Sequence, residues 1–145
     1  MKRLVFFCSL CLQMLAACNN SGGGKGETPA SENDMDAARN FIRAALDRNW
    51  NEAKKFMLKD SSNNERLNSI EDFYKNEKRD EKRNYHEASI NLYDSRKLND
   101  SVTIVNYSNS YKNQRDSVKV VRIDGQWLVD LKYSFLPNDT TRHAH

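Results

Sequence analysis

The hydrophobic pattern of this chain changes period near residue 88, and that change most restricts what the chain can fold into. Before it, apolar residues recur every three or four positions; after it, they alternate. Met35, Ala38, Phe41, Ile42, Ala45 and Leu46 share one face of a helix about four turns long, with Asp34 as N-cap and Asp36 in the first turn. Arg39, Arg43, Asp47 and Arg48 fall mainly on the other side, so the apolar stripe has to be buried against another element. "NWNEAKKFML" predicts a short second helix with Trp50, Ala53, Phe56 and Met57 or Leu58 inward. "DSSNNERLNSIEDFY" predicts a third that uses Leu67, Ile70, Phe73 and Tyr74. In "EKRDEKRNYHE", residues 77–87, the like pairs Glu77/Glu81 and Arg79/Arg83 offset the attractive pairs Asp80/Arg83 and Lys78/Glu81, which favours a solvated connection over a helix.

Beyond the change, Ala88, Ile90 and Leu92 alternate, and Val102, Ile104, then Val105, Tyr107 and Tyr111 suggest a strand that switches face through a bulge. "SVKVVRI" and "WLVDL" complete four strands. The turns between them are "SRKLND", "KNQRD" and the dipeptide Asp124-Gly125, whose preference for positive φ suits a type I′ hairpin. Links this short require antiparallel neighbours, hence a four-stranded meander. Helices followed by an antiparallel sheet place the chain in the α+β class, with the long helix over one sheet face.

The amino terminus has a separate logic. Lys2 and Arg3 precede an apolar run over residues 4–17, which is shorter than the roughly 20 residues of a membrane-spanning helix and of the length of a secretion signal. The run stops at Leu15-Ala16-Ala17-Cys18, which resembles the lipobox of bacterial lipoproteins. The resemblance implies a signal peptide over residues 1–17, cleaved before Cys18, whose sulfur carries a diacylglyceryl group and whose new amino group is acylated, palmitate being the expected chain. Each buried methylene contributes about 0.8 kcal/mol, and one chain holds only marginally, so Cys18 with two or three chains makes a lasting anchor. Cys8 and Cys11 leave with the signal, so the mature domain has no thiol for a disulfide and its fold rests on its core. Removing Lys2 and Arg3 from the 23 basic residues leaves 21 against 20 acidic ones, a net charge of about +1. No net field remains to attract nucleic acid, and that partner class is set aside.

Residues 18–33 hold the anchor cysteine and a linker containing Gly22, Gly23, Gly24, Gly26 and Pro29, a flexible composition that spans on the order of 20 Å. "GGGKG" is no phosphate loop: it follows no strand and lacks the Gly-Lys-Ser/Thr ending. The folded domain is expected over residues 34–135 and a disordered tail over 136–145.

Two stretches, "AARNFIRAALDRNWNEAKKFM" and "DSVKVVRIDGQWLVDL", resemble the nuclear transport factor 2-like (cystatin-like) superfamily, and within it bacterial lipoproteins with a small domain of unknown function. In the first, a helix ends at a "DRNW" step before a second helix; in the second, an apolar strand turns at Asp-Gly into Trp127. The likeness covers roughly residues 34–133. It implies N-terminal helices packed on a curved four-stranded antiparallel sheet, a cone whose cavity serves as ligand pocket, active site or plain core. Phe41, Phe56, Tyr74, Tyr93, Tyr107 and Trp127 are the aromatic candidates for its lining.

Catalysis in such a cavity needs an acid or base with a pKa moved by burial, such as an Asp paired with a Tyr or His. The apolar helix face offers no carboxylate, and Asp130, alternating with Val129 and Leu131, points to the opposite sheet face. No catalytic residue is assigned, and His86 is expected to be exposed. His143 and His145 share a terminal "RHAH" without a third ligand nearby, so neither a metal site nor a cofactor is assigned. Asp100-Ser101-Val102, Asp116-Ser117-Val118 and Asp139-Thr140-Thr141 resemble the acceptor triplet of a periplasmic O-glycosylation system, making Ser101, Ser117 and Thr140 candidate sites. Asp-Ser before a β-branched run is also how a turn feeds a strand.

The expected protein is a lipid-anchored component of the bacterial cell envelope, at the outer membrane in preference to the inner, with its domain in the periplasm or at the cell surface. That domain is expected to bind a small apolar ligand or an envelope protein without catalysis, through the cavity or a sheet face carrying Tyr107 and Tyr111 that also suits a homodimer. The alternative is an isomerase- or hydratase-like enzyme using the cavity.

Overall fold

The computed structural model describes residues 30–133. The expected signal peptide, Cys18, most of the linker, Thr140 and the tail lie outside the described residues. Helix α1 (Asp34–Leu46) starts one residue earlier than the sequence suggests: Asn33 is the N-cap, and its side chain accepts the Asp36 N–H at 2.9 Å. The helix buries Ala37, Ala38, Phe41, Ile42, Ala44 and Leu46, so its buried stripe is wider than the expected one, with Met35 and Ala45 at its half-buried margin.

α1 ends in a Schellman motif. Asn49 N–H bonds Ala44 O at 2.9 Å and Arg48 N–H bonds Ala45 O at 3.1 Å. Arg48 occupies the left-handed position, φ 58°, where glycine is the usual residue. Helix α2 (Trp50–Ala53) then runs into a single 3₁₀ turn, Lys54–Phe56. Next, Met57 makes a parallel bridge to Val129, and Leu58 N–H bonds Val129 O at 2.9 Å. This short extended segment shields one edge of the sheet.

Helix α3 (Ser61–Tyr74) is capped by Asp60, whose carboxylate accepts the Asn63 N–H at 2.8 Å. Leu67 and Ile70 are buried, but Phe73 is 58% exposed, contrary to expectation. Position 73 follows Ile70 by three and lies just beyond the end of a narrow apolar stripe. Residues 77–87 are no loose connection: helix α4 (Arg79–Glu87) forms there although it buries no residue of its own. Tertiary polar contacts decide what the balanced charges leave undecided. Arg43 donates to the carbonyls of Ala88 at 2.8 Å and of Tyr85 and His86 at 3.1 Å, satisfying the C-terminal end of α4.

Strands β1 (Ile90–Asn99), β2 (Val102–Asn109), β3 (Asp116–Ile123) and β4 (Gln126–Asp130) form an antiparallel sheet in sequential order. The fold is thus α+β with a four-stranded meander, and α1 touches all four strands. Asp124 and Gly125 both have positive φ, 51° and 80°, as a type I′ turn requires. "SRKLND" is mostly strand, not turn: pairing continues to Asn99 opposite Val102, leaving only Asp100 and Ser101 in the hairpin. The bulge expected in β2 lies in β1, where the register shifts between Leu92 and Asp94 and again between Lys97 and Asn99.

Register sorts the faces. Thr103 pairs with Val120, Val105 with Val118, and Val120 with Val129, and these side chains meet the helices. Burial of Phe41 or Ile42 contributes roughly 1.5–3 kcal/mol each. Asn63, fully buried, accepts the Leu131 N–H at 2.6 Å and donates to Asp60 at 2.8 Å, tying the start of α3 to the end of β4.

Candidate functional site

The C-terminal half of α1 meets α3 and α4 on one side and the β2–β3 end of the sheet on the other, and between them is a cleft of about 670 Å³. Its apolar part comes from α1 (Phe41, Ile42, Leu46) and α3 (Leu67, Ile70), residues that share faces through three- and four-residue spacing. Trp50, Phe73, Tyr74 and Tyr85 form an aromatic wall. Tyr74 stacks near Trp50, with centroids 6.4 Å apart, and meets Phe73 and Tyr85 edge-on at 5.0 and 6.2 Å.

Arg48 fills the centre of that wall. Its guanidinium lies 4.0 Å from the Tyr74 ring centroid and 4.5 Å from that of Tyr85. In the plane of the fork, Nε and Nη2 donate to the two carboxylate oxygens of Glu77 at 2.8 and 2.7 Å, while Nη1 donates to Ala45 O at 2.9 Å. The pair is withdrawn from water, with side-chain exposures of 13% and 6%. Arg48 makes these contacts from the left-handed position just past the end of α1, reaching Glu77 between α3 and α4.

Across the cleft, β2 and β3 place Tyr107 opposite Asp116, and the Tyr107 hydroxyl donates to the Asp116 carboxylate at 3.3 Å. Burial, then the neighbouring Asp116 charge, push the Tyr107 phenol well above its ordinary 10. Burial likewise raises Tyr74, and pushes Tyr85 up to about 12 with help from Tyr74. The cleft phenols therefore stay neutral at physiological pH and act as hydrogen-bond donors and apolar surface. The loop over residues 110–115 adds Lys112 and Arg115 at the rim.

Of the aromatic candidates, Phe41, Tyr74 and Tyr107 border the cleft; Phe56, Tyr93 and Trp127 do not. Phe56, at the end of the 3₁₀ turn, is core. Tyr93 is the extra residue of the β1 bulge, 49% exposed, with its hydroxyl 2.6 Å from Ser108 Oγ and the Arg115 guanidinium 4.8 Å from its ring. Trp127 packs at the margin of the core beneath Arg122. Tyr107 is buried on the helix side, so it is no part of the opposite sheet face; Tyr111 leaves the sheet and meets Tyr85 edge-on at 4.9 Å. His86 sits in the last turn of α4, 70% exposed, with Nδ1 2.8 Å from Asp47 Oδ1. Asp130 does point away from Val129, but it is buried there and paired with Lys119 at 3.2 Å. Ser101 lies in the exposed β1–β2 turn, whereas Ser117 is half-buried within β3.

Sequence reasoning missed Arg48, Glu77, Tyr85 and Asp116. Arg48 falls on the polar side of α1, and Glu77 and Tyr85 lie in the segment read as a connection. Asp116 could have been found, because a meander with a 110–115 loop sets Tyr107 and Asp116 across from each other. Among the described residues no cluster of three metal-ligating side chains occurs, and no helix is long and apolar enough to cross a membrane. Comparison of the chain with protein-family models, curated proteins and solved structures gives no match.

Proposed function

We propose that this protein is a lipid-anchored component of the bacterial envelope whose domain binds a small amphipathic molecule in the cleft, without chemistry. The cleft itself carries the proposal. Its volume of about 670 Å³ lies within the range of small-molecule sites, and apolar and aromatic surface there is joined by a few placed polar groups. Those at the centre satisfy one another: Arg48 with Glu77, and Tyr107 with Asp116. The helix-then-meander order, α1 across all four strands, and a cleft opening between helices and sheet support a nuclear transport factor 2-like cone. Membrane attachment through Cys18, placement at the outer membrane, and docking of an envelope protein or second copy on the outer sheet face belong to the same proposal and rest on the sequence.

A second reading, an isomerase- or hydratase-like enzyme, is favoured by one observation: the buried Tyr107 phenol hydrogen-bonded to a carboxylate in the cleft wall. A phenol held neutral can donate its single O–H to a developing oxyanion when it turns from the Asp116 carboxylate that accepts it here.

Native mass spectrometry of the protein released gently from its own membrane tests the proposal. The expected result is a stoichiometric, noncovalently held small molecule that leaves on activation. A bare protein under conditions that preserve other noncovalent complexes contradicts it.

A further inference from the structure

The polar groups of the cleft divide into those already committed to a partner and those that are not. Arg48 directs three of its five N–H donors to Glu77 and Ala45 O, and its charge is paired with Glu77. The Asp116 carboxylate accepts the Tyr107 hydroxyl on one oxygen and the Ser117 N–H, at 2.7 Å, on the other. Asn109 Oδ1 accepts the Lys112 N–H at 3.0 Å. Two charged groups on the rim stand apart. The Lys112 ammonium and the Arg115 guanidinium enter no ion pair among the described residues, and each lies over an aromatic face instead: Lys112 Nζ is 4.6 Å from the Tyr111 centroid, and Arg115, which lines the rim, has its Cζ 4.8 Å from the centroid of Tyr93, just outside the cleft. A ring face satisfies part of a cation's electrostatics while leaving its N–H donors able to point elsewhere. Of the cleft carboxylates, Glu77 is paired with Arg48 and Asp116 holds the Tyr107 hydroxyl and the Ser117 N–H, while Glu81, from α4, enters no ion pair among the described residues.

The rim formed by the 110–115 loop is thus cationic, and it adjoins an interior of Phe41, Ile42, Leu67 and Ile70. On the reading that the cleft is a ligand site, we infer that its ligand is an amphipathic organic acid, with an apolar ring or chain in the cleft body and its acid group on Lys112 and Arg115. A neutral ligand of the same shape gains the apolar burial but leaves both cations facing water. A cationic ligand meets repulsion at this rim. Two largely solvent-exposed charge contacts give the acid about a tenfold advantage over its uncharged isostere, reduced by salt.

The test uses three probes sharing one ring system: naphthalene-2-acetate, its primary amide, and naphthalen-2-ylmethylammonium, each titrated calorimetrically into the full chain in mild nonionic detergent. The expected order of affinity is acid, amide, ammonium, with the acid about tenfold tighter than the amide at low salt. The Lys112→Gln/Arg115→Gln double variant, altered only at exposed loop positions, should bring the acid down to the affinity of the amide and leave the amide unchanged. Equal binding of acid and amide, or preference for the ammonium, overturns the acid assignment while the cleft remains a binding site. Failure of all three probes to bind, together with a bare protein from the native membrane, overturns the cleft reading and this inference with it.

Discussion

Removing the Glu77 charge should destabilise the domain more than removing the whole Arg48–Glu77 pair. In Glu77→Gln the shape is kept, but the Arg48 guanidinium, 13% exposed and enclosed by the rings of Tyr74 and Tyr85, loses its counter-charge. Breaking a buried ion pair on one side costs about 3–5 kcal/mol. Both ring contacts survive and the amide oxygen still accepts one hydrogen bond, so the lower end, about 3 kcal/mol, applies. In Arg48→Gly/Glu77→Gln no buried charge remains, and the left-handed position, φ 58°, passes to the residue that adopts it freely. With the penalty of an uncompensated charge absent and the backbone relief worth about 1 kcal/mol, only the packing and hydrogen bonds of Arg48 are lost, so the double variant should lose less than Glu77→Gln, about 2 kcal/mol or below. Urea denaturation followed by circular dichroism measures both, with an unchanged slope showing that the unfolded state is the same. A loss below about 0.5 kcal/mol for Glu77→Gln would refute the reasoning, because it would show the pair to be screened by water.

Thr103 is fully buried on the helix-facing side of β2 and its hydroxyl has no partner among the described residues, so Thr103→Val should be neutral or stabilise by about 1 kcal/mol; a clear loss in the urea midpoint would show that the hydroxyl is used. The Asn63 N–H, with Lys132 and the Asn63 side chain, lowers the Asp60 carboxyl from 3.8 to about 2. Because this pKa is depressed on folding, its stabilising contribution is complete above 3.8 and is lost as pH falls toward 2. Asp60→Asn should therefore flatten that part of the stability–pH curve, and an unchanged acid limb would contradict the cap. Cys18→Ala should release the protein from membranes on fractionation; unchanged partitioning would refute the lipid anchor.

Local periodicity carried much of this fold into the sequence. The stripe of α1, the four alternating strands and the Asp124-Gly125 turn are each set by residues within one element or one hairpin, and they are legible there. What the sequence hides is set at a distance. α4 exists because Arg43, some forty residues earlier, satisfies its terminal carbonyls, and because Arg48 holds Glu77 and Tyr85. The β1 bulge that carries Tyr93 outward depends on pairing with β2, not on any turn residue of its own. The cleft followed the same division. Phe41 and Tyr74 lie on recognisable helical faces, and Tyr107 alternates with Val105. The charged groups that shape the site look like solvent-facing residues until the helices are assembled. Asn63 is the sharpest case: a polar residue near a helix start, in "SSNNERLN", that is fully buried because it hydrogen-bonds the backbone of Leu131.

The most direct test of the central claim, that the cleft between α1, α3, α4 and the sheet is the binding site, is to fill it. Ala45 borders the cleft and is half-buried at the margin of the apolar stripe of α1, so the phenyl group of Ala45→Phe would occupy cleft space beside the core, and the urea midpoint reads any cost to that core. Calorimetric titration of naphthalene-2-acetate into the wild-type and Ala45→Phe chains, with urea midpoints measured alongside, gives the comparison. The account predicts binding to the wild type and at least about a tenfold loss in the variant at nearly unchanged stability, since even partial exclusion of the ring forfeits more than 1.4 kcal/mol of apolar burial. Equal affinity in the two proteins would place the ligand elsewhere and contradict it.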